Sequence, residues 1–131
     1  MKKAAMMLAG LVLLAGCGSD NPTDPLAGFE PQVSNVVDNF GLQATDVTGV
    51  ATVLQYTWEN SGTQASVDHS TTTLVGAASV VIRDADGATV YDRTLQPSLN
   101  EDTASGSSGS WSISVVFSDY SGTVNFRVQK K

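Results

Sequence analysis

The chain contains one cysteine and one histidine, the two residue types that carry most metal and nucleophilic chemistry. A single Cys leaves no second thiol for a disulfide. A lone His leaves zinc without its usual set of about four ligands. Catalysis by an activated Ser needs a base beside it, and the chain has no Gly-x-Ser-x-Gly motif. Basic residues are also scarce, seven Lys and Arg against thirteen Asp and Glu. The resulting charge of −6 argues against nucleic acid as a partner, because a phosphate backbone is held by basic patches. A membrane-spanning length of apolar sequence is missing too. The apolar stretch after Lys3, Ala4 to Gly16, is 13 residues. As a helix it rises about 20 Å, short of the roughly 30 Å hydrocarbon core.

That stretch nevertheless has an order. Lys2 and Lys3 precede it, and small residues close it, which is the layout of an export signal and not of a span. Its end, Leu14-Ala15-Gly16-Cys17, resembles the lipobox of bacterial lipoproteins. The resemblance covers about the first 20 residues and places the only Cys where that family needs it. It implies that Leu14, Ala15 and Gly16 are read by the processing machinery. It also implies that the Cys17 sulfur receives a diacylglyceryl group, and that the signal is cut before Cys17 and the new amine acylated. Each buried CH₂ contributes ~0.8 kcal/mol, so one chain anchors weakly and several anchor stably. In enteric bacteria an Asp after the lipidated Cys favours the inner membrane. Gly18 stands there, so the resemblance implies the outer membrane.

Three regions follow: a signal over 1–16, a lipidated Cys and tether over 17–31, and a folded domain over 32–131. The 115 residues beyond the signal suit one domain. Without Lys2 and Lys3 their charge is −8, which gives no second, electrostatic hold on anionic lipid. Pro22, Pro25 and Pro31 with polar residues between them make an extended tether. At about 3 Å per residue it reaches up to roughly 40 Å. Leu26 and Phe29 are its apolar residues, available to dock on the domain.

The domain reads as all-β. Val33, Val36, Val37 and Phe40 have helical spacing, but β-branched residues and Asn favour extended chain leading into a strand at about 39–46. Leu54, Tyr56 and Trp58 alternate with Gln55, Thr57 and Glu59. Ala65, Val67 and His69 form a polar strand of the kind found at sheet edges, and 71–77 reads as a connection. Val80 and Ile82 precede a hairpin turn at Asp84-Ala85-Asp86-Gly87, and Val90 and Tyr91 lie on its return strand. A Ser- and Gly-rich loop covers 96–110. Trp111, Ile113, Val115 and Phe117, then Val124, Phe126 and Val128, predict a final hairpin turning at 119–122. About seven short strands with regular turns predict a single antiparallel β-sandwich, immunoglobulin-like or jelly-roll-like. The segments Gly109-Ser110-Trp111-Ser112-Ile113 and Gly122-Thr123-Val124-Asn125-Phe126 resemble the ends of accessory β-sandwich domains of secreted proteases. No functional residue follows from that resemblance.

Few residues are candidates for chemistry. Asp68 points to the face opposite His69 in a strand, so it cannot orient the imidazole, and His69 reads as an ordinary strand residue. Asp84, Asp86 and Gly87 resemble the start of a calcium loop, but no distal Glu or further ligands follow. Trp58 and Trp111, with Tyr56 and Tyr91, invite sugar stacking. Both Trp lie on alternating apolar faces, however, which predicts core positions, and Tyr120 sits in a predicted turn where it would be exposed. The expectation is a non-enzymatic, lipid-anchored interaction or structural module of the cell envelope, without a cofactor. A carbohydrate-binding module is the alternative.

Overall fold

A computed structural model describes residues 29, 31–95 and 99–131. Strands dominate: β1 (Gln32–Val36), β2 (Asn39–Asn60), β3 (Ala65–His69), β4 (Thr72–Arg83), β5 (Thr89–Thr94), β6 (Leu99–Asp102) and β7 (Gly109–Lys130). All their pairings are antiparallel and belong to one sheet. The spine is a two-stranded ribbon of β2 and β7, each 22 residues long, paired from Asn39↔Gln129 to Asn60↔Gly109.

The ribbon is folded in half. Phe40 and Tyr56 are both on β2 and would stand roughly 50 Å apart in a straight strand. Their ring centroids are 5.1 Å apart. The two ends of β2 also meet. The Asp38 N–H donates to the Glu59 carbonyl at 2.9 Å, and the Lys130 N–H donates to the Asp38 carbonyl at 3.0 Å. Two layers result. In the first, β7 from Gly122 to Lys130 lies between the start of β2 and β3, with β1 and β6 outside them. In the second, β7 from Gly109 to Ser118 lies between the end of β2 and β4, with β5 outside β4.

The fold line is a set of bulges. Pairing of β2 with β7 shifts between Ala44 and Val47, between Val47 and Val50, and between Val50 and Thr52. One residue with positive φ sits at each shift: Asp46, Gly49 and Asp119, at 55°, 62° and 45°. On β4 the shifts around Val75 include Gly76 at 74°. An extra residue on one strand bends and twists it, and repeated bulges let strands pass from one layer to the other. Asp and Gly tolerate this backbone region better than other residues.

Folding the ribbon brings two apolar stripes together. Phe40, Leu42, Val124, Phe126 and Val128 from the first layer are buried, as are Trp58, Val80, Ile82, Trp111, Ile113 and Val115 from the second. Each such side chain stabilises by about 1.5–3 kcal/mol on full burial. Trp58 and Trp111 are register partners, and their rings meet edge to face with centroids 5.9 Å apart. Aromatic pairs of this kind add about 0.5–1.5 kcal/mol beyond burial. Their indole N–H groups are satisfied by the Val36 carbonyl at 3.1 Å and the Ser107 carbonyl at 2.7 Å.

The β-sandwich and the hairpin at Asp84–Gly87 agree with the sequence reading, and Gly87 takes φ of 88°. Four local expectations do not hold. The predicted hairpin at 119–122 is a bulged corner in one continuous strand, so Tyr120 points inward and is fully buried. Residues 72–77 are not a connection but the first half of β4. Within the predicted loop at 96–110, Leu99–Asp102 forms β6. It covers the outer side of β3, which is therefore an interior strand and not an edge.

Two glycines at the corner separate backbone strain from steric clash. A Cβ on Gly49 would meet nothing within 4 Å, whereas one on Gly76 would lie 2.2 Å from the Ser118 carbonyl oxygen. Gly49→Ala is expected to cost about 1 kcal/mol, from positive φ alone. Gly76→Ala is expected to cost about 3 kcal/mol or more, because backbone must also move. Urea unfolding of both variants checks this, and equal costs would contradict the corner geometry.

Candidate functional site

The lipobox residues Leu14, Ala15, Gly16 and Cys17 lie outside the described residues. Phe29, just before the domain, is partly buried against the core, so the tether's end is docked. β1 begins at Gln32 opposite Gln43, close to the bulged corner. The chain therefore enters the domain at its folded end, away from the end where Asp38, Glu59 and Lys130 converge.

A cluster of four ionisable side chains sits on the seam between the layers, where β3 and β6 of one face β5 of the other. His69 is buried on the inner side of β3, and its Nε2 lies 3.4 Å from the Tyr91 hydroxyl. That hydroxyl donates to Glu101 Oε2 at 2.8 Å. Glu101 in turn pairs with Arg93 Nε at 3.1 Å, and the Arg93 guanidinium stands 5.7 Å from the centre of the Tyr91 ring. Burial and the adjacent Glu101 carboxylate push the Tyr91 phenol well above its ordinary range. Asp68 points outward, as expected, and pairs with Arg127 at 3.1 Å. The alternation of β3 places His69 inward, but it does not reveal that Tyr91 and Glu101 arrive from β5 and β6. The group runs from an exposed Arg93 to a fully covered His69, and none of its members lines the concavities described below. Its chemistry is that of a satisfied buried network joining the two layers.

The same holds at the second seam and at the Asp84 turn. Asn35 Nδ2 donates to the Thr57 carbonyl at 2.9 Å, beside the bond from Trp58 to Val36, so the β1 edge is tied to the β2 edge of the other layer. Asp84 Oδ1 accepts the N–H groups of Asp86 and Ala88, and Oδ2 accepts that of Ser107 at 2.9 Å. These bonds, led by Ser107, hold its carboxyl below the usual range. Asp86 accepts from the Ser107 hydroxyl at 2.5 Å. Both acids thus fasten the β4–β5 turn to the segment before β7. Among the described residues no three His, Cys, Asp or Glu side chains are grouped to hold a metal. Asp38 is held low by two bonds from Ser61, aided by Lys130. Asp102 is held low by Lys131 at 2.6 Å and by Ser66.

Trp58 and Trp111 are fully buried and Tyr91 nearly so, which removes them as a stacking platform. The outer face of the first layer is open. A shallow trough of about 520 Å³ runs over it, lined by Pro31, Gln32, Val33, Ser34, Gly41, Leu42, Gln43, Asn125, Phe126 and Arg127. A second concavity of about 320 Å³ continues it over Gln43, Asp68, Ser70, Asn125 and Arg127. Sequence alternation marks these positions as outward, but only the register aligns them.

Titration of these groups narrows the stability range. Asp38, Asp84 and Asp102 stay ionised in the fold at pH values where the unfolded chain takes up protons. Their contribution is therefore present above about pH 4 and lost below it. Tyr91 keeps its proton in the fold while the unfolded chain releases it near pH 10, so stability also falls above that value. Tyr91→Phe is expected to cost about 1–2 kcal/mol at neutral pH and to make the alkaline decline shallower. Thermal melts from pH 3 to pH 11 check both arms, and an alkaline arm identical in the variant would contradict the Tyr91–Glu101 bond.

No protein-family model and no curated protein matches the chain. Among solved structures it is similar to procruciferin, an 11S globulin from Brassica napus, at 15% identity and a TM-score of 0.43, over 85% of this chain and 29% of that one. It is similar to a glycosylation-associated protein complex from Streptococcus agalactiae at 10% identity and a TM-score of 0.42, over 85% of this chain and 42% of that one. A third is a glycoside hydrolase family 43 arabinoxylan arabinofuranohydrolase from Bacillus subtilis, at 14% identity and a TM-score of 0.35, over 74% of this chain and 20% of that one. Overlap this low transfers neither residues nor activity.

Proposed function

We propose that this chain is a bacterial lipoprotein: a small β-sandwich held in the cell envelope by lipid on Cys17, acting by interaction and not by catalysis. The observation that carries the reading is the single Cys, placed at the end of a short apolar run behind two lysines. The Pro-rich segment from Gly18 to Pro31 supports it, because it gives an anchored domain reach. A non-enzymatic role is supported by the way the chemical groups are used. His69, Tyr91 and Glu101 bond one another across a covered seam, and Asp84 spends its carboxylate on backbone N–H groups. Gly18 after the lipidated Cys supports the outer membrane as the site of residence.

Separation of inner and outer membranes on a density gradient tests this in the bacterium of origin. The native protein is expected in the outer-membrane fraction, and Gly18→Asp is expected to shift it toward the inner membrane. A native protein recovered in the soluble fraction would overturn the reading.

A further inference from the structure

We propose that the bulged corner is a membrane-contacting surface, with Leu74 and Val75 seated in the headgroup region of the phospholipid leaflet that holds the Cys17 acyl chains. The proposal rests on the lipid-anchored reading and adds to it an orientation of the domain. Leu74 is the bulged residue of β4, since Thr73 pairs with Gly122 and Val75 with the adjacent Ser121. The bulge breaks the inward and outward alternation, and residues 72–77 are all exposed. Leu74 is 76% exposed and Val75 59%, and neither belongs to the buried core.

Where the chain enters decides what this surface faces. β1 starts opposite Gln43. Three residues on, the Asp46 N–H donates to Thr123 Oγ1 at 3.2 Å, and Thr123 pairs with Thr72. The entry point and the exposed segment of β4 therefore share one end of the domain. Residues 18–31 join this end to Cys17, with a reach of up to roughly 40 Å. The opposite end lies about 27 Å further on, the length of residues 122–130 of β7. For that end to meet the bilayer, most of the tether must run back along the domain. For the corner to meet it, slack tether is enough, and tethering makes even a weak contact effectively intramolecular. Charge sets the kind of leaflet. Residues 44–52, 70–77 and 118–124 carry Asp46 and Asp119, both exposed, and no Lys or Arg. Such a corner is repelled by anionic lipid and suits a zwitterionic one. Its two acids also keep the contact at headgroup depth, because burying a carboxylate in hydrocarbon is costly. Val36 and Val37 are a second exposed apolar pair, but they sit at the opposite end beside Asp38, where Glu59 and Lys130 converge.

The test uses the protein extracted from membranes and reconstituted in phosphatidylcholine vesicles that carry a nitroxide near the headgroup. Thr48 is exposed and lines one concavity of about 230 Å³ with Leu74, so it reports on the corner. Gln129 is exposed near the far end of β7 and reports on the opposite end. Thr48→Cys and Gln129→Cys each receive a thiol-reactive fluorophore. The fluorophore at position 48 is expected to be quenched and blue-shifted, and the one at position 129 to be neither. Leu74→Ser combined with Val75→Ser is expected to abolish the quenching at position 48, with floatation on the vesicles and the melting temperature unchanged because both side chains are exposed. Phosphatidylglycerol in place of phosphatidylcholine is expected to weaken the quenching. Equal or stronger quenching at position 129, quenching at position 48 that survives the double substitution, or stronger contact with phosphatidylglycerol would each overturn the proposal, while floatation leaves the anchor standing. Protein that does not float, or unsubstituted protein whose Cys17 takes up the fluorophore, would remove the anchor and this proposal together. A photo-crosslinker at position 48 that captures a second copy of the chain or another protein in living cells, and no lipid, would overturn it in favour of that partner.

Discussion

A ribbon of two 22-residue strands cannot bury anything while it is straight, and the bulged corner is what makes this one a domain. Asp46, Gly49, Gly76 and Asp119 take positive φ where β2, β4 and β7 change layer. Once the ribbon doubles over, Phe40 meets Tyr56, and the stripe around Phe126 meets the one around Trp111 and Ile82. The chain has no second Cys for a disulfide, so packing between these stripes and the bonds along the two seams hold the layers together.

Folding one sheet in half also leaves edges on both sides, and each is dealt with chemically. On one side Asn35 and Trp58 close β1 against the end of β2. On the other, Tyr91, Glu101 and Arg93 close β5 against β6, and the Ala104 N–H reaches the Val90 carbonyl at 2.9 Å. Exposed strand edges invite pairing with other chains, so these side-chain clasps protect solubility as well as stability. They also account for where the only His goes. His69 is part of a clasp, bonded to Tyr91 across the seam.

Much of this was legible from residue order, and the limits have physical causes. Alternation at Leu54-Tyr56-Trp58 and at Trp111-Ile113-Val115 marks strands and core, because period two is set by the backbone alone. The turn at Asp84–Gly87 was legible for the same local reason. The corner at 119–122 was not. Asp and Gly supply positive φ equally to a reverse turn and to a bulge, and only the distant partners on β2 and β4 decide between them. The polarity of Ala65–His69 suggested an edge. Instead β6 emerges from a Ser- and Gly-rich segment to cover it, through pairing that local propensity does not contain. The Tyr91–Glu101 bond depends on topology, because its two residues arrive from strands that residue order does not bring together.

The proposed arrangement has a domain on a leash: lipid at Cys17, a Pro-rich spacer, and entry at the folded end. Everything about location rests on the chemistry of one residue. Mass spectrometry of the mature protein extracted from membranes reads that residue directly. The account predicts an N-terminal peptide that begins at Cys17 and carries diacylglyceryl and N-acyl mass. A mature chain beginning elsewhere, or a Cys17 without lipid, would contradict it.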